Sequence, residues 1–526
     1  MNKDYDVIII GGGITGAGTA RDCAMRGLRT LLVERFDLTT GATGRNHGLL
    51  HSGARYAVND PESAAECIRE NKILKKVAAH CVEDTGGLFI SLPEDGLEYQ
   101  DGFVKACRAA GIDAEILDPA EALRLEPSAN PAMIGAVRVP DASVDPFRLT
   151  TANALDARLH GADILTYHEV TGFVREGGRI AGVEVLDRRT GEKKSFRAAL
   201  TVNAAGIWGA GIAQMAGVSV GMYPAKGSLL IFGHRVNRMV INRCRKPANA
   251  DILVPGDVVC VVGTTSTKIP FEECDSVRVT SDEVDLLLQE GVKLSPVLAS
   301  TRVLRAYAGV RPLVASDDDP TGRSISRGIV LLDHETRDGL PGFITITGGK
   351  LTSYRLMAEQ ATDLVCRKLG VERRCETAVK PLPGSEESET GRKFRESWED
   401  PSSVVGTKAA ASRHGARISA MDFSDKSEVV CECEHVTRAE IEYAVKFLDV
   451  HNLIDLRRRT RVGMGTCQGT FCMERVAAVL ADVLGCPEKA PGFVRQYVEE
   501  RWKGMVPVCW GESIREAEYM RKKYGK

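Results

Sequence analysis

Tyr5-Asp6-Val7-Ile8-Ile9-Ile10-Gly11-Gly12-Gly13-Ile14-Thr15-Gly16 is the stretch that decides the fold. Asp6–Ile10 is a short β-branched apolar run, the pattern of a strand buried on both faces of a parallel sheet. It stops at three glycines, and Ala17–Gly27 follows with helical periodicity and a glycine end. Thr30–Val33 is then a second strand, closed by Glu34. One strand–helix–strand unit therefore fits inside the first 35 residues.

Each part of that unit has a physical task. Gly11 permits the tight turn, Gly13 lets the backbone approach a pyrophosphate, and Gly16 lets the helix sit close on the sheet. The helix N-terminus stabilises phosphate charge. Glu34 lies 18 residues after Gly16, placed to accept hydrogen bonds from a ribose. The dinucleotide is read as FAD rather than NAD because further glycine-bearing segments converge on it. These are Thr40-Gly41-Ala42-Thr43-Gly44, the strand end Val202-Asn203-Ala204-Ala205-Gly206, and Thr347-Gly348-Gly349-Lys350. Arg35, beside Glu34, joins the expected cofactor set.

A chain of 526 residues is too long for one core, so two or three domains are expected. The formal charge of -2 gives no long-range pull on nucleic acid, and no nucleic-acid partner is expected. There is no apolar run long enough for a membrane span and no signal-peptide pattern, so a cytoplasmic chain is expected. Any membrane role would fall to a partner. Most of the fifteen cysteines are scattered singly, as buried free thiols are.

After the opening unit, Gly41–Gly53 is a polar, glycine-rich functional loop. Helical patterns cover 61–84, about 147–160 and 281–290. Residues 222–334 alternate like antiparallel strands, including Ser228–Phe232, Val258–Gly263 and Gly328–Asp333, and Phe343–Thr347 leads through Gly348-Gly349 into a helix ending near 369. Pro, Ser, Gly and Glu dominate 373–427, which predicts a linker. The expected division is an oxidoreductase over 1–372, a cysteine-bearing domain over 428–485 and a tail over 486–526. Within the first, FAD-binding parts cover about 1–70, 150–215 and 335–372, and substrate parts about 71–149 and 216–334.

Leu49-Leu50-His51-Ser52-Gly53-Ala54-Arg55-Tyr56, Gly309-Val310-Arg311-Pro312 and Gly349-Lys350-Leu351-Thr352-Ser353-Tyr354-Arg355 bring cations towards the flavin. Several cations around an apolar ring call for an anionic substrate, since each charge-assisted hydrogen bond to a phosphate is worth about 1.5–3 kcal/mol. Taken singly, each of these side chains is more commonly a solvated, paired or merely satisfied residue.

Cys431-x-Cys433 and Cys467-x4-Cys472 are the one set spaced as ligands, with 33 residues between the pairs. Tight thiolate pairs in loops held by short helices suit an iron–sulfur cluster, and also suit structural zinc. Zinc pairs usually carry more intervening residues than Cys431-x-Cys433 does. The basic run Arg457-Arg458-Arg459-x-Arg461 reads either as a solvated face or as charge that offsets a cluster or docks an acidic electron-transfer partner.

The strings Ala42-Thr43-Gly44-Arg45-Asn46-His47-Gly48 and Arg457–Gly465, with matches along nearly the whole chain, resemble the FAD-dependent glycerol-3-phosphate dehydrogenases, and within them the catalytic A subunit of the anaerobic enzyme. The C-terminal cysteines resemble the [2Fe-2S] domain of bacterioferritin-associated ferredoxin. The resemblance implies an α/β fold with a Rossmann-like FAD-binding domain of the glutathione-reductase/D-amino-acid-oxidase type. An antiparallel-sheet substrate domain and a small helical [2Fe-2S] domain complete it. It implies oxidation of sn-glycerol 3-phosphate to dihydroxyacetone phosphate, with Arg55 and Arg311 on the substrate, Lys350 and Thr352 beside the flavin, and Arg327 a weaker member. The implied partners are a second flavoprotein subunit together with an iron–sulfur membrane-anchor subunit that feeds menaquinone. His51, with an ordinary pKa of about 6.5, is the preferred general base, and Lys350 is the alternative. Two other readings stay open: an amino-acid or opine oxidase or dehydrogenase of the same fold, and a non-catalytic iron–sulfur carrier.

Overall fold

Val7, Ile8 and Ile9 are fully enclosed, which is why the first strand, Asp4–Ile10, forms the centre of a parallel sheet. Burying each such side chain is worth about 1.5–3 kcal/mol. The computed structural model describes residues 4–314, 328–385, 405–422 and 428–524. Asp4–Ile10 pairs in parallel with Thr30–Val33 on one side and with Lys193–Asn203 on the other. Asp163–Leu165 and Phe343–Gly348 extend the parallel array, and the hairpin His168–Glu176/Arg179–Asp187 joins it antiparallel. Helices Ile14–Met25, Pro146–Leu159 and Tyr354–Leu369 pack on this sheet.

The second layer is a nine-stranded, largely antiparallel sheet. Its spine is Tyr223–Phe232, paired along its whole length with Val303–Leu313 and on the other edge with Cys260–Gly263. A small sheet of Leu49–Leu50, Ala142–Val144 and Val82–Glu83 carries the chain between the layers and delivers His51 to the gap between them.

Three expectations on organisation change. The strand near 328–333 belongs to the dinucleotide sheet, where Ile329–Asp333 pairs with Phe343–Gly348, and not to the substrate sheet. The stretch read as a linker includes a helix, Val405–His414, whose Arg413 and His414 both bind the buried Glu440 carboxylate. The segment read as a tail forms helices Ala490–Met505 and Glu512–Tyr524. Phe493, Val494, Tyr497 and Val498 of the first complete the core of the cysteine-bearing domain. A core that small needs the extra apolar face.

Candidate active site and cysteine centre

A cavity of about 510 Å³ opens between the two large sheets, and the segments singled out in the sequence line it. Gly11 and Gly13 stand at one end with Glu34, Arg35 and the loop residues Thr40, Gly41, Ala42 and Thr43. Gly206, Gly348, Gly349 and Lys350 form the far wall with His51 and Arg311. Gly16 and Gly44 are not on this wall. Gly16 acts in packing: a Cβ there would lie 1.9 Å from the Gly11 carbonyl oxygen. Gly11 has φ +115, and its Cβ would meet the Ala204 carbonyl oxygen at 2.6 Å, so the turn excludes side chains at both positions.

The Glu34 carboxylate accepts hydrogen bonds from the Gly12 and Phe36 N–H groups at 2.7 and 2.9 Å, which pins the acid at the strand end. Burial pushes its carboxyl up, and those two N–H groups oppose the shift. Thr43 Oγ1 accepts from the Ile14 N–H at 3.1 Å, fastening the loop over the helix N-terminus. Arg35 stacks 4.5 Å above the Trp208 ring, a wall residue that sequence reasoning missed because a lone Trp carries no pattern. A long groove with a phosphate-binding helix start at one end and cations at the other fits FAD.

At the cation end, the Arg311 guanidinium donates to the Thr264 hydroxyl, to the Thr265 carbonyl at 3.1 Å and to the Lys226 carbonyl at 3.4 Å. These contacts hold the side chain against the sheet with its charge at the cavity. Lys350 Nζ lies 4.7 Å from the Tyr56 ring centroid, and the His51 ring packs edge-on against Tyr56 at 5.3 Å. The His51 N–H donates to Thr352 Oγ1 at 3.1 Å, so the buried Thr352 positions the histidine from behind and is not itself a wall residue. Arg55 is turned away from the wall. It donates to Asp251 Oδ2 and the Ala248 carbonyl, both at 3.2 Å. Arg327 lies outside the described residues.

His47, 5.8 Å from His51 between ring centroids, is a neutral imidazole. Burial, with the Arg311 and Arg55 charges, pushes its pKa down to about 3. Its Nδ1 accepts from the Leu49 N–H at 3.2 Å, which assigns the ring proton to Nε2.

The four cysteines Cys431, Cys433, Cys467 and Cys472 come together although 33 residues separate the pairs. Thiol contacts run in a ring, Cys431 to Cys433, Cys433 to Cys467, Cys467 to Cys472 and Cys472 back to Cys431, with Cys433 and Cys467 sulfurs 3.6 Å apart. Among the described residues no three His, Cys, Asp or Glu side chains surround a single ion position. Hydrogen bonds from Cys433 and Cys472 hold the Cys431 and Cys467 thiols well below the ordinary thiol range, and the same contacts push Cys433 and Cys472 up. Backbone N–H groups of Gly463 and Glu434 aim at Cys431, and those of Phe471 and Gly469 at Cys467, as thiolate ligands require. Gly465 leaves the room: its Cβ would lie 2.6 Å from the Cys433 sulfur. Tyr497 Oη shares its proton between the Gly463 and Gln468 carbonyls, at 2.8 and 3.0 Å, and braces the loop.

In the basic run before this loop, Arg458, Arg459 and Arg461 are held by carboxylates and do not form a solvated face. Arg458 and Arg459 reach Asp37, three residues beyond Glu34. Arg461 is held by Glu434, Asp257 and Asp145. These pairs join the cysteine domain to both sheet layers.

A strand–glycine turn–helix that fits a flavin dinucleotide, with a four-thiol ring on the same chain, defines a flavin-dependent oxidoreductase that carries an iron–sulfur module. Residues 6–355 match the family described as FAD dependent oxidoreductase, and residues 429–482 match the BFD-like [2Fe-2S] binding domain. The chain belongs to the family of the anaerobic glycerol-3-phosphate dehydrogenase A subunits, and its cofactors are FAD and a [2Fe-2S] cluster. It is 60% identical to the Escherichia coli strain K12 member, covering 99% of this chain and 96% of the relative. It is 59% identical to the Haemophilus influenzae member, covering 98% and 91%. In structure it is similar to the glycerol-3-phosphate dehydrogenase from Bacillus halodurans complexed with FAD, with a TM-score of 0.71, 24% identity and 97% of each chain covered.

Proposed function

We propose that this chain oxidises sn-glycerol 3-phosphate to dihydroxyacetone phosphate, and that the electrons leave through its [2Fe-2S] module to partner subunits. The reading is carried by the cavity in which Arg311, Lys350 and His51 meet beside the glycine segments that fit FAD. The two bacterial relatives, 59–60% identical over nearly the whole chain and both named as this component of the anaerobic dehydrogenase, support it.

Arg311, steadied by Thr264 and Thr265, clamps the phosphate dianion, with the Lys350 cation as the second charge on that wall. His51 takes the proton of the C2 hydroxyl as the C2–H bond breaks, and Thr352 fixes the backbone that presents the ring. Tyr56 packs against both His51 and Lys350 and keeps their separation. Bound FAD supplies the acceptor for the hydride and the cluster an acceptor for single electrons. Neutral His47 adds a hydrogen-bond donor without adding a charge next to Arg311.

The partners are a second flavin-bearing subunit together with an iron–sulfur subunit that anchors the assembly to the inner face of the membrane and feeds menaquinone. Among the described residues no helix is long and apolar enough to cross a membrane. Phe471, 80% exposed between Cys467 and Cys472, gives a partner an apolar contact beside the cluster.

Anaerobic turnover with an artificial acceptor tests the activity. Glycerol 3-phosphate is expected to give dihydroxyacetone phosphate with kcat/KM at least about a hundredfold above that for glycine or L-proline, the discrimination that a polar clamp supplies. Preference for an amino acid would reject the phosphate reading.

A further inference from the structure

A second cavity, about 790 Å³, lies behind the first. The two share one face of the substrate sheet. Along Val303–Leu313, Arg311 and Gly309 face the first cavity, while Tyr307 and Arg305, two and four residues back, face the second. The Arg45–Gly48 loop crosses the sheet between them. Tyr307 Oη donates to the Asn46 carbonyl at 2.7 Å, and Gly309 has no room for a Cβ because the Arg45 carbonyl oxygen would lie 2.4 Å from it. Gly11 and Gly13 line the first cavity alone, whereas Thr40 lines both and Gly44 lines the second. The wall opposite the sheet comes from the cysteine domain and the helix Ala490–Met505, through Arg457, Met464 and Trp502.

The lining is unbalanced in charge. Arg305 is 7% exposed, and its Nε is buried without a hydrogen-bond partner; the Arg457 Nε is in the same state. Among the described residues neither Arg45 nor Arg457 has an ion pair, and Glu500 is the one carboxylate of the lining left to the three guanidiniums: it stands 3.9 Å from Arg305, also serves Lys503, and acts on Arg45 and Arg457 only at longer range. Asp145 and Asp257 are committed to Arg148 and Arg461, and Asp275 to Arg35. Burial pushes Arg457 down to about 10, with the Arg305 charge adding to the shift, and burial likewise lowers Arg45. Three crowded guanidiniums that share one carboxylate repel one another, and a further anion between them relieves that repulsion. Beside them the sheet presents apolar Ile231 and its cross-strand neighbour Val261, with Val259 next along.

We infer that this second cavity is a binding site for an amphiphilic anion, its phosphate or carboxylate head on Arg45, Arg305 and Arg457 and its apolar body along Ile231, Val261 and Val259. An occupant there touches the loop that covers the flavin site and the domain that carries the cluster at once. Its source is either a free metabolite or the head of an acidic lipid.

The test is calorimetric titration of octyl phosphate into protein loaded with FAD and cluster, with excess dihydroxyacetone phosphate to fill the first cavity. Saturable binding of one molecule per chain is expected, with octyl glucoside showing none and inorganic phosphate binding at least about tenfold more weakly. Arg457→Met and Arg305→Gln should each weaken octyl phosphate by about tenfold, the loss of a charge-assisted hydrogen bond. Displacement of the probe by phosphatidylglycerol vesicles and not by phosphatidylcholine vesicles assigns a lipid head; displacement by soluble anions alone assigns a metabolite. Absent saturable binding, equal binding of octyl glucoside, or unchanged affinity in both variants overturns the inference. The wild-type comparison of the three probes decides it even if a variant does not fold. Turnover of glycerol 3-phosphate is measured separately, so the two readings fail independently.

Discussion

Asp37 Oδ1 accepts a 2.5 Å hydrogen bond from Arg459 Nη2, and Arg458 Nη1 reaches Asp37 Oδ2 at 3.0 Å. The acid follows the strand end that carries Glu34; the arginines belong to the helix Leu453–Thr460, which leads into the cysteine loop. One buried carboxylate therefore ties the flavin side of the molecule to the cluster side. Burial alone would raise the Asp37 carboxyl, and the Arg459 and Arg458 charges reverse that, holding it below the ordinary carboxylate range. Asp37→Asn leaves the buried Arg459 without its carboxylate and Arg458 with only Asp455 at 3.7 Å, and is expected to destabilise the interface by about 3–5 kcal/mol, read as a lower urea midpoint for release of the cysteine domain. Because the folded-state pKa is depressed, this stabilisation is complete above about pH 4 and is lost as the pH falls through the depressed value. An unchanged midpoint in Asp37→Asn at neutral pH would deny the tie.

Gly16→Ala is expected to abolish flavin retention. The added methyl would stand 1.9 Å from the Gly11 carbonyl oxygen, which only a shift of the helix start can relieve. Flavin absorbance per mole of purified protein checks this, and a variant with full FAD content would contradict the close packing.

Arg311→Ala removes the phosphate clamp. With one or two charge-assisted hydrogen bonds lost, KM for glycerol 3-phosphate is expected to rise by roughly a hundredfold or more, while activity on unphosphorylated glycerol changes little. Equal effects on both substrates would show that Arg311 acts on the fold and not on the phosphate.

Tyr497→Phe takes away the donor that bridges the Gly463 and Gln468 carbonyls. The expected cost is about 1–3 kcal/mol, with faster loss of acid-labile sulfide in the presence of an iron chelator and no loss of FAD. Cluster and flavin leaving together would instead indicate general unfolding.

The opening strand, the glycine turn and Glu34 were legible in the sequence because their spacing is local: each residue answers to a neighbour within one strand–helix–strand unit. The helix starts at Ile14, earlier than periodicity placed it, since glycines at its first turn blur the pattern. Each cysteine pair stood out for a similar reason, as two thiols close in the chain, and the structure brings the two pairs together. What lay out of reach were partners distant in the chain. Arg458 and Arg459 look like surface charge until Asp37, more than four hundred residues away, is brought against them. Arg55 sits in a stretch rich in candidate groups, yet Asp251 claims its guanidinium. Thr352 stood out as a candidate beside the flavin, whereas it lies behind the wall and supports the His51 backbone, and Ala490–Met505 gave no hint that its apolar face completes another domain's core.

Low-temperature electron paramagnetic resonance on the intact, cofactor-loaded protein, frozen after anaerobic mixing with glycerol 3-phosphate, shows whether substrate electrons reach the cysteine domain. A signal from the reduced [2Fe-2S] cluster is expected to grow as the flavin absorbance is lost, and to be far weaker after the same time with an equal concentration of glycerol. Bleached flavin with a cluster that stays oxidised, or no bleaching at all, would rule out electron exit through the cluster.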